Sequence, residues 1–550
     1  MMMLNRFEIS CMNHGRPHSD LVFASSRRRL QTSAVIATAI LGTLLFGTGC
    51  RTGKSDCCEP CAPAIKAGAA STIPDRPEKL SYPPLEFHPP KPEKYRVPLK
   101  SGPVAYVAPD RELPLVSLSV LIHTGDWVEP VGKEGLTDLC GSLLTTGGTE
   151  SRTAQELEER LAFLAAQLGS GIQGAQGTVS LNLLSKDLDE GLAILREVLT
   201  RPRFQQDRVD LHKQQMLQAM KQRNDSSSTI EQMESSILAY GQNFWDNRYQ
   251  TAASVESITR EDLLAFHQRW FFPSNFVVAV SGDFDRDTMV NKLETLFAGW
   301  PWADNPPPVI PTNVTMAAPG VYLVNKDVNQ GRVQVMLPGI MRENPDYFSI
   351  IVMNDILGGG GFTSRIMNRV RSDEGLAYSA YSRFPGGIYF PYAFTAGFQS
   401  KSRTVAYATS IVIEEMKRIA KDPVSVEELE NAKRGFIDRL PRSFASKSQI
   451  VGVFAGDEFT GRYATNPDYW QHVVAHVNAV TREDVQRVAK KYLTPDRIVI
   501  VVVGQKDEIL QGHPDHPVKL TELGGGRFTE LPLRDPLTLK PMPLETKSAD

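Results

Sequence analysis

Two copies of one α+β domain, joined by a proline-rich linker, are the architecture the sequence predicts, and three observations carry that prediction. The run ITREDLLAFHQRWFFPSNFVVAVSGD from Ile258 and the run VTREDVQRVAKKYLTPDRIVIVVVGQ from Val480 superpose without a gap at an offset of 222. Thr259 falls on Thr481, Pro273 on Pro495 and Gly282 on Gly504. At 550 residues the chain is also too long for one compact core. Between the copies lies a proline-rich stretch, GWPWADNPPPVIPTNVTMAAPG.

Each repeated run reads as a helix opened by a Thr cap, with acidic residues in its first turn. A proline turn follows, then a β-branched strand that ends at glycine. A repeat of this length marks a duplicated domain rather than a solenoid unit. Within each copy a strand pair, helices and further strands succeed one another, which is an α+β order. Composition is that of ordinary globular protein, 41% hydrophobic and 22% charged. A net charge of −3 gives no ground for a nucleic acid or an anionic membrane surface as partner.

The elements follow in order. Residues 1–50 read as an export leader: Arg27, Arg28 and Arg29 precede the apolar run AVIATAILGTLLFGTGC, which has the length of a secretory core rather than of a membrane span. The run closes at Cys50 in a pattern that resembles a bacterial lipoprotein signal, with Gly47 where a branched aliphatic is usual. That resemblance implies lipidation of Cys50 and a membrane-anchored protein facing the periplasm. A plain cleaved signal and an uncleaved N-terminal anchor are the alternatives. Cys57, Cys58 and Cys61 are too few for a structural zinc site, and a disulfide or further acylation competes with that reading. Residues 51–98, rich in Pro, Lys and Ala, read as an extended tether. Residues 99–300 and 319–510 are the two domains, 301–318 the linker, and 511–550 an irregular proline-rich tail.

Two motifs say more. The second half carries ILGGGGFTSRIMNRVRSDEGLAYSAYS, with Arg371 and Tyr378 seven residues apart, and the first half carries TGDWVEPVGKEGLTDLCGSLLTTGGT. Together they resemble the M16 (pitrilysin-like, inverted-zincin) peptidases. The resemblance covers about residues 99 to 510 and implies two homologous M16-type domains facing one another across a chamber. Each would be a mainly antiparallel sheet with helices on one face.

An inverted-zincin site needs two His four apart on one helix face, with a Glu as base beside the second. Aligning Gly135-Leu136-Thr137 with the family's lead-in puts the first His at Asp138, the Glu at Gly141 and the second His at Ser142. The count to the third ligand lands on Ala219. As a set these four positions hold neither a base nor a zinc ligand shell, and no His-x-x-Glu-His occurs elsewhere. No metal or cofactor is therefore expected on this chain. His472 and His476 have helical ligand spacing without the Glu, and His513 and His516 lie past the last strand of the repeat.

The resemblance implies that Arg371 and Tyr378 grip a peptide and stabilise the oxyanion of its hydrolysis. The chemistry suits them, since Arg offers a rigid fork of donors and Tyr a directed hydroxyl. Packing or a surface ion pair is the alternative role. Glycines 358–361 allow a tight turn or a close backbone approach. Gly171–Thr178 lies where the family's peptide-accepting edge strand should be. The leading expectation is a non-catalytic subunit that pairs with a zinc-bearing M16 partner and binds its peptide substrate. The rivals are a binding or structural module without proteolytic role, and a lone peptidase with a rearranged metal site.

Overall fold

The computed structural model describes residues 76, 79–80, 87–300 and 308–544. The leader, Cys50, the cysteine cluster and most of the tether lie outside these residues. Arg76 and Lys79, where the Lys79 amide donates to the Arg76 carbonyl at 3.1 Å, belong to a unit of their own. From Phe87 onward the chain is a second unit, built on two sheets.

The first sheet holds β1 (Arg96–Pro98), β2 (Val104–Pro109), β3 (Leu115–Ile122), β4 (Gln167–Gln173), β5 (Gln176–Leu184) and β6 (Phe276–Gly282), in the order β1-β2-β6-β3-β5-β4. The second holds β7 (Gly320–Asn325), β8 (Gln330–Met341), β9 (Ala377–Arg383), β10 (Gly386–Gly387), β11 (Tyr392–Lys401), β12 (Val499–Gly504) and β13 (Phe528–Leu531). Its order is β13-β7-β12-β8-β11-β9, with β10 beside β8. β6 runs parallel to β2, as its repeat partner β12 does to β7, while β3 and β8 pair antiparallel with them. The predicted caps are present as full capping boxes, Thr259 with Asp262 and Thr481 with Asp484.

The alternation along the strands explains how each sheet is covered. On β2, Ala105 and Val107 join the first half's own helices, whereas Tyr106 and Ala108 face the other way into a core that contains Phe454. Helix Lys447–Phe459 of the second half lies on that outer face. The exchange is reciprocal. Val499, Val501 and Val503 of β12 pack with Ile230, Ala239 and Tyr240 of helix Ser227–Tyr240 from the first half. Each sheet thus has its own helices on one face and a helix of the other half on the second. Both faces are dry, which is why β6 and β12 are unbroken apolar runs.

Two boundaries differ from expectation. The tether ends earlier than residue 98: Phe87 packs on Phe444 at 5.9 Å, Gln471 donates to the Pro90 carbonyl, and β1 is already sheet. The tail is not irregular throughout, because β13 extends the second sheet parallel to β7. Beyond it Arg534 pairs with Glu234 at 2.6 Å, and the Leu537 carbonyl accepts from the Ala252 amide.

Candidate functional site

In the first half, helix Leu136–Thr146 carries the three degenerate positions nearest one another. Its start is held by a buried carboxylate: Glu129 accepts from the Gly135 amide at 3.0 Å, the Thr137 amide at 2.9 Å and the Thr137 hydroxyl at 2.7 Å. An anion suits a helix N-terminus. Burial, helped by the Asp126 carboxylate, nevertheless pushes Glu129 up to about 7. Asp126 also accepts from Thr137 and from the Gly174 amide, which ties the β4–β5 turn to the same helix.

Asp138 is half-buried in the first turn and Ser142 half-buried one turn on. The residue that answers Asp138 electrostatically is His212, on helix Gln206–Lys221. Burial holds His212 below its usual range, and Asp138 pulls it back up. Met216 comes within 3.0 Å of where Gly135 would carry a Cβ, so the helix passes the start of its neighbour at that residue. Ala219 lies seven residues, or about 10 Å of helix, beyond His212 and is exposed. Asp138, Gly141 and Ser142 therefore share one helix, with His212 beside them and Ala219 apart.

Gly141 is decisive for the chemistry. A Cβ there would stand 2.4 Å from the Ile172 amide nitrogen and 2.9 Å from the Gly171 carbonyl carbon. The two-residue turn pairs Gln173 with Gln176, so the alternate residues Ser170 and Ile172 point their backbone groups away from β5, at the free edge. Helix Leu136–Thr146 covers that edge, and the Ser170 hydroxyl donates to the Gly141 carbonyl at 2.5 Å. A base at position 141 has no room. The edge expected to accept a peptide near Gly171 is occupied at Ser170–Ile172 by the chain's own helix. Zinc does not fit either: a zinc site takes at least three good protein ligands, and this one offers Asp138 and a neighbouring His. Among the described residues no three His, Cys, Asp or Glu converge to hold a metal.

The second half shows the same helix-on-edge contact. Gly358 abuts β9, with a Cβ position 2.5 Å from the Ser382 nitrogen, and Asn354 bonds both the hydroxyl and the carbonyl of Ser382. The glycine-rich segment winds as a π-helical turn, Asp355–Gly359, then a tight turn, Gly361–Thr363, entered through Gly361 at φ +65°. Two ion pairs fix it from behind. Arg439 reaches Asp355 at 3.2 Å, and Arg365 forks Glu428 at 2.6 and 3.0 Å. Burial works to raise Glu428, but its bonds to Arg365 and Ser425 hold it down at about 2.

Arg371 sits in a second π-helical turn, Asn368–Asp373, and Gly375 at φ +63° swings the chain from it into β9. Wide turns of this kind recur at functional sites. The Arg371 guanidinium carbon lies 4.8 Å from the Tyr378 ring centroid and 4.6 Å from that of Phe362. Tyr378 is 84% exposed and Phe362 68%. Among the described residues no carboxylate pairs with Arg371. The structure thus brings Arg371 and Tyr378 together at the surface, ring against guanidinium, with no carboxylate partner for the cation among the described residues. Phe362 was not singled out in the sequence; a large ring set among Gly361, Thr363 and Ser364 was the available signal.

The remaining candidates are ordinary. His472 and His476 are exposed, the first bonded to the Asp468 carbonyl and the second packed on Phe348. His516 stacks on Tyr407 at 3.8 Å with His513 alongside. Cys140 is buried, and burial raises its thiol far above the usual range.

Known proteins match both halves of the chain. Residues 107–243 match the family model for insulinase (peptidase family M16), and residues 257–436 match that for the peptidase M16 inactive domain. The two matches together span more than half of the chain. An uncharacterized zinc protease of Rickettsia bellii is 25% identical over 349 residues, 61% of this chain and 81% of its own. The non-peptidase homolog YmxG of Helicobacter pylori is 25% identical over 337 residues, 60% of this chain and 76% of its own. The crystal structure of a peptidase M16 inactive domain from Pseudomonas fluorescens superposes with a TM-score of 0.66 at 24% identity, over 74% of this chain and 97% of that one.

Proposed function

Because the chain belongs to peptidase family M16, we propose that it is a non-catalytic, peptide-gripping subunit that completes the active site of a zinc-bearing M16 partner. The observation that carries the reading is the Arg371 guanidinium, without a carboxylate partner among the described residues, beside the exposed Tyr378. An arginine kept only for structure ordinarily finds a carboxylate; one held by rings keeps its N–H groups for a ligand. Extended peptide offers the matching acceptor, its carbonyl oxygen. In this reading the partner supplies the metal chemistry, and this chain orients the peptide and receives the charge that develops on the attacked carbonyl. The name of the Helicobacter relative, a non-peptidase homolog, is in keeping with this assignment. So is the absence of room for a base at Gly141.

The exported, lipid-anchored location is part of the same proposal. It rests on Arg27–Arg29, the apolar run that follows and Cys50. Intact mass of the mature N-terminus, with and without Cys50→Ser, tests it.

The central test is cleavage of an unfolded fluorogenic peptide by this chain, by a His-x-x-Glu-His relative from the same source, and by the mixture. The expected result is activity in the mixture alone, falling about 10²-fold with Arg371→Ala or Tyr378→Ala, as for loss of an oxyanion donor. A fully active mixture indifferent to both substitutions would instead make the chain a binding or structural module. Cleavage by this chain alone would overturn the non-catalytic assignment.

A further inference from the structure

We infer that Phe362 is a positioning and specificity residue of this grip: it seats the Arg371 guanidinium and offers an apolar platform to a side chain of the bound peptide. The inference rests on the peptide-gripping reading and adds to it a class of preferred peptide, one with an aromatic or large aliphatic residue beside the carbonyl that Arg371 receives.

Isolated apolar residues on a surface usually need no explanation. Phe362 differs in how it is held. The Ser364 hydroxyl and amide both donate to the Gly361 carbonyl, at 2.7 and 3.1 Å, and the Thr363 hydroxyl donates to the Gly360 carbonyl at 3.1 Å. Immediately after them, Arg365 is forked by Glu428. The turn presenting the ring is thereby braced on its C-terminal side, although most of the ring faces solvent.

The contact with Arg371 gives the exposed ring a task. A long arginine side chain with no carboxylate partner would otherwise sample many rotamers, and a ring at 4.6 Å on its guanidinium narrows them. Tyr378 contributes the second ring at 4.8 Å. With aromatic rings against the guanidinium, the outlet left to it is its N–H edge, which suits a carbonyl or carboxylate oxygen. A ligand using that edge lies beside the rest of the Phe362 ring. A peptide residue that is apolar there removes the ring from water; a serine or glutamate does not.

Direct binding to this chain without its partner tests the inference. The probes are fluorescein-labelled unstructured peptides, identical except for one position scanned with Phe, Leu, Ser or Glu, read by anisotropy. Wild type should bind the best Phe or Leu member about tenfold more tightly than its Ser counterpart, a usual span for one apolar group in a pocket. Phe362→Ala, with an unchanged melting temperature, should lose that preference and also weaken the Ser peptide, because Arg371 is no longer seated. Phe362→Trp should restore both effects, which no loss of general stability predicts. If Phe362→Ala keeps the preference while Arg371→Lys weakens all peptides, this inference fails and the gripping reading stands. If wild type binds none of the peptides, either alone or mixed with its zinc-bearing relative, both fall together.

Discussion

The amide nitrogen of Ile172 lies 2.4 Å from the point where Gly141 would carry a Cβ. Helix and edge strand have therefore closed on each other at the position a catalytic Glu would hold. The second half has the matching contact between Gly358 and Ser382. The half with the degenerate motif packs at this position as the second half does. The departure from the zinc motif is therefore not one of ligand identity alone: edge-strand backbone fills the space beside position 141 as well.

Restoring the motif should consequently fail. Gly141→Ala alone should destabilise the protein by about 1–3 kcal/mol, the usual cost of overpacking against backbone that cannot step aside. The triple change Asp138→His, Gly141→Glu and Ser142→His should lower the melting temperature and give neither stoichiometric zinc nor peptide cleavage. Metal analysis of the purified variant decides the matter, and one tightly held zinc per chain would sink the closure argument.

A second consequence concerns the seam between the halves. Arg96 forks Glu458 at 2.8 and 2.9 Å, and the Tyr106 hydroxyl donates to the same carboxylate at 2.8 Å. The Glu458 hydrogen bond raises Arg96 above its ordinary range, and burial together with that bond raises Tyr106. Glu458→Ala would leave a mostly buried guanidinium and a phenol without their acceptor. The expected loss is about 2–4 kcal/mol by denaturant titration. Glu458→Gln, which keeps one acceptor oxygen, should lose less. Equal losses for the two would mean that packing, not the charge, holds the seam.

The exchanged helices predict that neither half folds alone. Without helix Lys447–Phe459, Tyr106, Ala108, Val277 and Ala279 would face water, and without helix Ser227–Tyr240, so would Val499, Val501 and Val503. Intact chain should melt in one transition, and Phe454→Ala should cost about 3–5 kcal/mol while lowering both halves together. Residues 87–300 expressed alone as a soluble, cooperatively folded domain would contradict this.

What the sequence disclosed and what it hid follow the range of the interactions. The capping boxes at Thr259 and Thr481 and the apolar strands after them are local, so the repeat revealed them. The exchange was not legible. Ile450, Val451, Phe454 and Phe459 announce a buried helix, but nothing local says whose sheet it lies on. Counting along the chain to Ala219 could not show that His212 answers Asp138, because loop lengths between two helices are free while their packing is not. Arg371 and Tyr378 were legible as a motif; Phe362 was not, since its role depends on a turn that only the folded chain closes. The tail hid β13 because Phe528–Leu531 has no apolar alternation and gains its place by pairing with β7.

The last prediction turns on Glu129, whose carboxyl is buried beside Asp126 and raised from an ordinary 4.5 to about 7. Below pH 4.5 the group is protonated whether the chain is folded or not, so it adds no pH dependence there. Between 4.5 and 7 the unfolded chain gives up the proton while the folded chain keeps it, so stability falls as pH rises. Above 7 that loss is complete, and it amounts to at most about 3 kcal/mol from a shift of this size. Opposing it are the bonds from Gly135 and Thr137, which favour the ionised form, and Arg248, whose guanidinium bonds the carbonyls of both Asp126 and Glu129. Glu129→Gln keeps an acceptor oxygen for the helix start and removes the titration. Denaturant midpoints at pH 5, 6, 7 and 8 should therefore fall with pH for wild type and much less for the variant, which should be the more stable of the two at pH 8. Parallel curves would show that the carboxyl is ionised in the fold at every one of these pH values, with Arg248 and the helix start holding its charge.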